Sequence, residues 1–209
     1  MQGVIMDTVK WLFFDIGSTL VDESLVYEYI FGGLAEKSGK STEYIYDKAM
    51  EFYRQNKKGD KEVSELLGVD KPAWDKARER LYPDTEEVLT GLGEKYKIGI
   101  IANQMYGTEE RLEAFGIRHL IDVVVASAEE GVEKPDSRIF EIAFERAGCT
   151  PDEAVMIGDR IDNDIVPAKK LGMKTIWIKQ GFGRFWKING DEEMPDFEVS
   201  CLTDLSEIL

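Results

Sequence analysis

Apolar positions along the chain change their spacing twice. From Val9 to Asp15 they run almost without a break, which predicts a buried strand ending on a carboxylate. Gly17-Ser18-Thr19-Leu20 follows at once and reads as a tight turn. From about Asp22 to Tyr82 the spacing is helical and no alternating strand pattern is seen. Leu25, Tyr29 and Leu34 suggest one helix that stops at Gly39. Ser41 or Thr42 opens a second, with Ile45, Ala49 and Phe52 on one face. Shorter helical pieces are predicted at Val63–Leu67 and Ala73–Leu81, between Gly59, Gly68 and Pro72.

After Pro83 helices alternate with apolar strands. Helices are predicted over Thr85–Tyr96, Thr108–Phe115, Asp136–Ala147 and Asp164–Leu171. The strands that follow them are Lys97–Ala102, Asp122–Ser127, Ala154–Asp159 and Lys174–Lys179, and the tail adds a short strand at Phe197–Ser200 and a helix at Asp204–Ile208. Alternation of this kind implies crossover units, and so an α/β fold: a Rossmann-like, doubly wound, mostly parallel sheet carrying a small all-α insertion.

The chain of 209 residues has room for one core domain and a modest insertion. Its 41 acidic residues against 26 lysines and arginines leave a net charge of −15, which opposes binding to nucleic acid or to anionic membranes. An anionic ligand would then need local help from a metal, a lysine or oriented amides. Cys149 and Cys201 form no metal pattern and read as reduced thiols. No apolar stretch approaches the roughly 18 residues of a membrane span, and Met1–Asp7 lacks a signal pattern, so a cytoplasmic location is expected.

In open α/β sheets ligands bind beyond the carboxyl ends of strands. Asp15 stands at such an end, and on its own it is equally readable as a turn or cap residue. If its strand neighbours the one ending at Asp159, the two carboxylates meet there. Asp159-Arg160-Ile161-Asp162-Asn163-Asp164 adds further acids. Clustered carboxylates and carbonyls favour Mg²⁺ over zinc, while Asp162–Asp164 also reads as a cap for the next helix.

Four segments in order resemble the motifs of the haloacid dehalogenase-like superfamily. Asp15-Ile16-Gly17-Ser18-Thr19-Leu20 matches the first motif, with Gly17 where a second Asp is usual. Ile100-Ile101-Ala102-Asn103 matches the second, with Ala102 where a hydroxyl residue is usual. Lys134, in Glu133-Lys134-Pro135-Asp136, matches the third. Gly158-Asp159 through Asp164 matches the fourth. The resemblance implies a core of residues 1–20 and 83–209 with a helical cap at 21–82 that excludes water and selects substrate. It implies an Mg²⁺-dependent phosphatase in which Asp15 attacks phosphorus to give an aspartyl-phosphate. Asp15, the Gly17 carbonyl, Asp159 and Asp164 would hold the metal, and Ser18, Asn103 and Lys134 the phosphate. Lys134 and Asn103 would join Asp15 in catalysis. The implied partner is a small phosphorylated substrate, with the chain acting as a monomer or homodimer.

The two departures weaken that reading. Loss of the general acid–base group costs about 10²–10⁴ in rate, and loss of the hydroxyl costs roughly 1.5–3 kcal/mol. Asp22, Glu23 or Tyr27 could supply the missing proton, or the substrate could carry a good leaving group. His119, the only histidine, reads as a structural or surface residue. The aromatic loop Phe182, Phe185 and Trp186 reads as packing in preference to substrate contact. Three other readings stay open. A metal-free dehalogenase would leave Asp159 and Asp164 without purpose, and a phosphonate-cleaving enzyme would need a cap lysine in a motif not found here. The third, a non-catalytic binder of a phosphorylated ligand or a protein partner, is motivated by Gly17 and Ala102.

Overall fold

A computed structural model describes residues 8–209. The reading of residues 1–7 as lacking a signal pattern lies outside them. β1 (Trp11–Phe14) leads through the 15–20 turn to β2 (Val21–Asp22), and helices α1 (Ser24–Ser38), α2 (Thr42–Tyr53) and α3 (Gly59–Leu67) follow. The chain returns by β3 (Arg80–Leu81) to α4 (Thr85–Gly93), β4 (Lys97–Ala102), α5 (Thr108–Ala114), β5 (Val123–Ala126) and the short α6 (Ser127–Glu130). Then come α7 (Ser137–Ala147), β6 (Ala154–Gly158), α8 (Val166–Leu171), β7 (Lys174–Ile178) and β8 (Phe197–Val199).

Six strands form one sheet in the order β5-β4-β1-β6-β7-β8, with every neighbouring pair parallel. β1 lies in the middle: the chain winds out to one edge through β4 and β5, then crosses to the other side at β6. The order therefore reverses between β1 and β6, where Phe14 pairs with Ile157. That reversal opens a crevice at the strands' carboxyl ends. Side chains of β1 alternate between the two faces. Leu12 and Phe14 join one apolar cluster with Leu89, Leu112 and Leu202, and Phe13 joins the other with Ile139, Phe140 and Ala168. Burial on both faces explains why β1 reads as a nearly continuous apolar run.

The helical segment has its own core of Val26, Ile30, Leu34, Ile45, Ala49, Tyr53 and Val63. Ser41 caps α2 by accepting from the Tyr44 N–H at 3.1 Å, an interaction worth about 1 kcal/mol. Phe52, expected on the buried face, is only partly covered, and Met50 and Tyr53 are buried there.

Three expectations need correction. Residues 73–81 are not a helix: they hold a single 3₁₀ turn at Lys76–Arg78 and then β3. β3 pairs antiparallel with β2, Val21 with Leu81 and Asp22 with Arg80, so the segment read as free of strands is entered and left through a two-stranded ribbon. Two-residue strands are too short to show alternation. The tail helix is likewise a 3₁₀ run, at Leu202–Glu207. His119 is exposed on a 3₁₀ turn, as its sequence setting suggested.

Candidate active site

Parallel pairing of β1 with both β4 and β6 brings three strand ends to one edge of the sheet. Asp15 follows β1, its N–H donating to the Ile157 carbonyl at 2.9 Å. Asp159 follows β6. Asp164 is delivered by a π-type turn at Ile161–Ile165, and its Oδ2 accepts from the Arg160 N–H at 2.9 Å. Gly158 makes that approach possible, because a Cβ there would lie 2.3 Å from Asp164 Oδ2.

Lys134 enters from the loop before α7, only 3% exposed. Its Nζ donates to Asp15 Oδ1 and Asp164 Oδ1, both at 2.6 Å, and to the Ile101 carbonyl at 2.8 Å. All three ammonium hydrogens are thereby used. Burial alone would lower the lysine's pKa, but the two carboxylates outweigh it and hold the ammonium above its ordinary value. Asn103, just past β4, fixes the backbone of this lysine: its Nδ2 donates to the Lys134 carbonyl at 2.8 Å, and its Oδ1 accepts from the Lys134 N–H at 2.7 Å. The residue expected at the phosphate is thus also the clamp that sets Lys134.

Oxygens of Asp15, Asp159 and Asp164 lie within 4.8 Å of one another. One ammonium cannot balance three carboxylates in a desolvated site. Burial, with Asp15 adding, pushes Asp164 up to about 6 against the opposing pull of Lys134. Burial and the charges of Asp164 and Asp15 drive Asp159 well above the usual carboxylate range. Neither Asp15 Oδ2 nor the Asp159 carboxylate takes a hydrogen bond from the described residues. Unpaired oxygens and excess negative charge fit a hard divalent cation.

The cluster floors a cavity of about 370 Å³, whose lining includes Gly17, Ser18, Glu23, Asn103 and, from the helical segment, Tyr27, Tyr53, Lys58, Asp60 and Lys71. Ser18 adopts a left-handed backbone (φ 55°) and its hydroxyl donates to Glu23 Oε2 at 2.9 Å. Glu23 reaches back over the turn until a Cβ on Gly17 would be 2.5 Å from its Oε1. Burial pushes the Glu23 carboxyl up to about 8; the Ser18 hydrogen bond opposes this, and the charges of Asp15 and Glu79 add to it. Asp22, also considered as a proton source, instead accepts from the Ser24 N–H at 2.8 Å at the start of α1. Ala102 is fully buried at the end of β4.

The aromatic loop does pack. Phe182 stacks on Tyr53 with centroids 4.4 Å apart and meets Tyr27 edge-on at 4.7 Å, while Trp186 lies against Ile161, Ile165 and Trp177. Phe182, Gly183 and Trp186 also line the cavity, so this loop is wall as well as filler. Reading loop glycines and aromatics in sequence could not show that Phe182 packs against the helical segment's core.

Residues 3–178 match the model of the family described as haloacid dehalogenase-like hydrolase. A glyceraldehyde 3-phosphate phosphatase of Methanopyrus kandleri is 38% identical over 61% of this chain and 56% of its own length, so the match spans little more than half of that relative. A glyceraldehyde 3-phosphate phosphatase of Pyrococcus furiosus is 28% identical over 98% of this chain and 94% of its own. Among solved structures, an HAD phosphatase from Thermococcus onnurineus superposes with a TM-score of 0.64 at 27% identity, covering 96% of this chain and 97% of that one.

Proposed function

The chain belongs to the haloacid dehalogenase-like hydrolase family, and we propose that within it the protein is an Mg²⁺-dependent phosphatase of a small phosphorylated metabolite. The observation that carries this reading is the bridge from Lys134 to Asp15 and Asp164, with Asp159 beside them, at the point where strand order reverses. Residues 1–20 and 83–209 form the core in this reading, and 21–82 a cap above the cavity. The relatives named as glyceraldehyde 3-phosphate phosphatases make short sugar phosphates the first substrates to try, and a cavity of about 370 Å³ suits that size.

Asp15 is the nucleophile in this reading, because Oδ1 is held by Lys134 while Oδ2 is left to attack phosphorus in line. Lys134 offsets charge on the phosphoryl oxygens, and Asn103 holds the lysine in place. Asp15, the Gly17 carbonyl and Asp159 would hold Mg²⁺, with Asp164 supporting from behind. When bound, the ion supplies charge stabilisation to the phosphoryl oxygens. Ser18 lines the cavity, but its hydroxyl serves Glu23 and its N–H donates to the Val21 carbonyl at 2.8 Å, so the phosphate is left to Lys134 and the metal. A metal-free dehalogenase is disfavoured by the three clustered carboxylates, which repel one another without a cation. The protein is taken to work in the cytoplasm, and no described helix is long and apolar enough to cross a membrane.

The test is phosphate release from a panel of alkyl, aryl and acyl phosphates, with Mg²⁺ and with chelator. Release that needs Mg²⁺ is the expected result. No turnover by folded protein on any member overturns the reading in favour of a binding role. Halide release from 2-haloacids without metal would establish the dehalogenase reading instead.

A further inference from the structure

We infer that Glu23 is the general acid–base of this site, its carboxyl standing in the space left by the missing side chain at Gly17. The inference rests on the phosphatase reading above. A Cβ built on Gly17 would lie 2.5 Å from Glu23 Oε1, 3.1 Å from its Cδ and 3.2 Å from its Oε2. The Glu23 carboxyl therefore fills the volume into which any side chain at position 17 would project. It arrives from a different Cα, at the start of α1, and a longer side chain covers the added distance.

Three further observations give this placement chemical content. Ser18 donates to Oε2 at 2.9 Å and fixes the carboxyl, while Oε1 takes no hydrogen bond from the described residues. Glu23, Asp15 and Lys134 line one cavity, so Glu23 and the nucleophile share the same space. Other nearby acids are engaged: Asp22 accepts from the Ser24 N–H at 2.8 Å, and Asp60 is paired with Lys71. The Gly–Glu arrangement is thus reciprocal, since the glycine makes room for the glutamate.

In the first step Asp15 Oδ2 forms a bond to phosphorus as the bond from phosphorus to the leaving oxygen breaks. The electron pair goes to that oxygen, which takes the Glu23 proton and departs as an alcohol. In the second step water attacks the aspartyl-phosphate and the Glu23 carboxylate takes its proton. The phosphorus–Asp15 bond breaks, so inorganic phosphate, the Asp15 carboxylate and protonated Glu23 are left.

The experiment compares wild type, Glu23→Gln, Glu23→Ala and the double variant Gly17→Asp/Glu23→Ala, each shown by circular dichroism to be folded. The substrates are glycerol phosphate, with a poor leaving group, and 4-nitrophenyl phosphate, with a good one. In Glu23→Gln, kcat for glycerol phosphate is expected to fall about 10²–10⁴-fold. With 4-nitrophenyl phosphate the first turnover survives as a burst, and the covalent phospho-adduct accumulates, visible by intact mass. The double variant is expected to recover at least about tenfold over Glu23→Ala on glycerol phosphate, because the space is vacated for the new aspartate. Near wild-type rates for Glu23→Gln on both substrates, or equal slowing of both bursts, would overturn the assignment. Wild type that turns over neither substrate nor any other phosphate fails the phosphatase reading itself, which is a separate result.

Discussion

Asn103 and Lys134 grip each other by two opposed hydrogen bonds, amide to carbonyl at 2.8 Å and N–H to amide oxygen at 2.7 Å. The pair welds the end of β4 to the loop that carries the lysine. Asn103→Leu removes both bonds and leaves partly buried backbone groups unpaired, so a loss of about 2 kcal/mol in urea unfolding is expected. Asn103→Asp keeps the acceptor and is expected to lose less. Equal losses would show that the acceptor contributes nothing.

Lys134→Met is expected to be the more damaging change. It leaves Asp15 and Asp164 buried beside each other with no cation, and removing one partner of a buried ion pair costs about 3–5 kcal/mol. Thermal unfolding without divalent metal should show the loss, and added Mg²⁺ should recover part of it.

Cation binding has a readout independent of turnover. Chelator-treated protein should rise in Tm on adding Mg²⁺, since a ligand at 100 times its Kd stabilises by about 2.7 kcal/mol. Asp159→Asn removes an oxygen donor that takes no hydrogen bond from the described residues and should abolish the shift. A shift that survives the substitution would place the ion elsewhere.

Gly158→Ala tests the packing under that site. The new methyl would lie 2.3 Å from Asp164 Oδ2, 2.4 Å from its Cγ and 2.7 Å from its Cβ, so Asp164 must move. An overpacking loss of about 1–3 kcal/mol is expected, with a smaller Mg²⁺-induced Tm shift. An unchanged shift would show that Asp164 contributes nothing to cation binding.

Burial pushes the Cys149 thiol up to about 11 from 9.0, with the Glu153 charge adding to the effect. The folded state therefore holds its proton more tightly than the unfolded state. This contribution to stability is complete below pH 9 and fades as pH rises toward 11. In a Cys201→Ser background, alkylation by iodoacetamide should climb about tenfold per pH unit from 7 to 10, tracking the thiolate. A plateau near pH 9 would contradict the shift.

Much of this arrangement is legible in sequence because it repeats one local pattern. A buried parallel strand reads as an apolar run, and Asp15 and Asp159 each mark where such a run meets the crevice. The order of the motifs then selects Lys134 from the other lysines. Glu23 illustrates what remained hidden. Sequence could offer it beside Asp22 and Tyr27 as a proton source, but only the turn geometry brings its carboxyl over Gly17. By the same geometry a Gly17→Asp side chain alone would meet an occupied space, so a simple gain of turnover is not expected. β2 and β3 leave no trace in the sequence pattern for a different reason. Their pairing joins residues about 60 apart, and no local periodicity records a contact of that kind.

The ribbon of β2 and β3 makes the helical segment modular. Its point of departure, Asp22, and its point of return, Arg80, are cross-strand neighbours, so the excursion between them begins and ends at one place. Whatever is inserted there leaves the spacing of β1, β4 and β6 unaltered. The side chains this segment adds to the cavity wall can therefore be exchanged as a cassette, while the carboxylate–lysine cluster beneath them keeps its geometry.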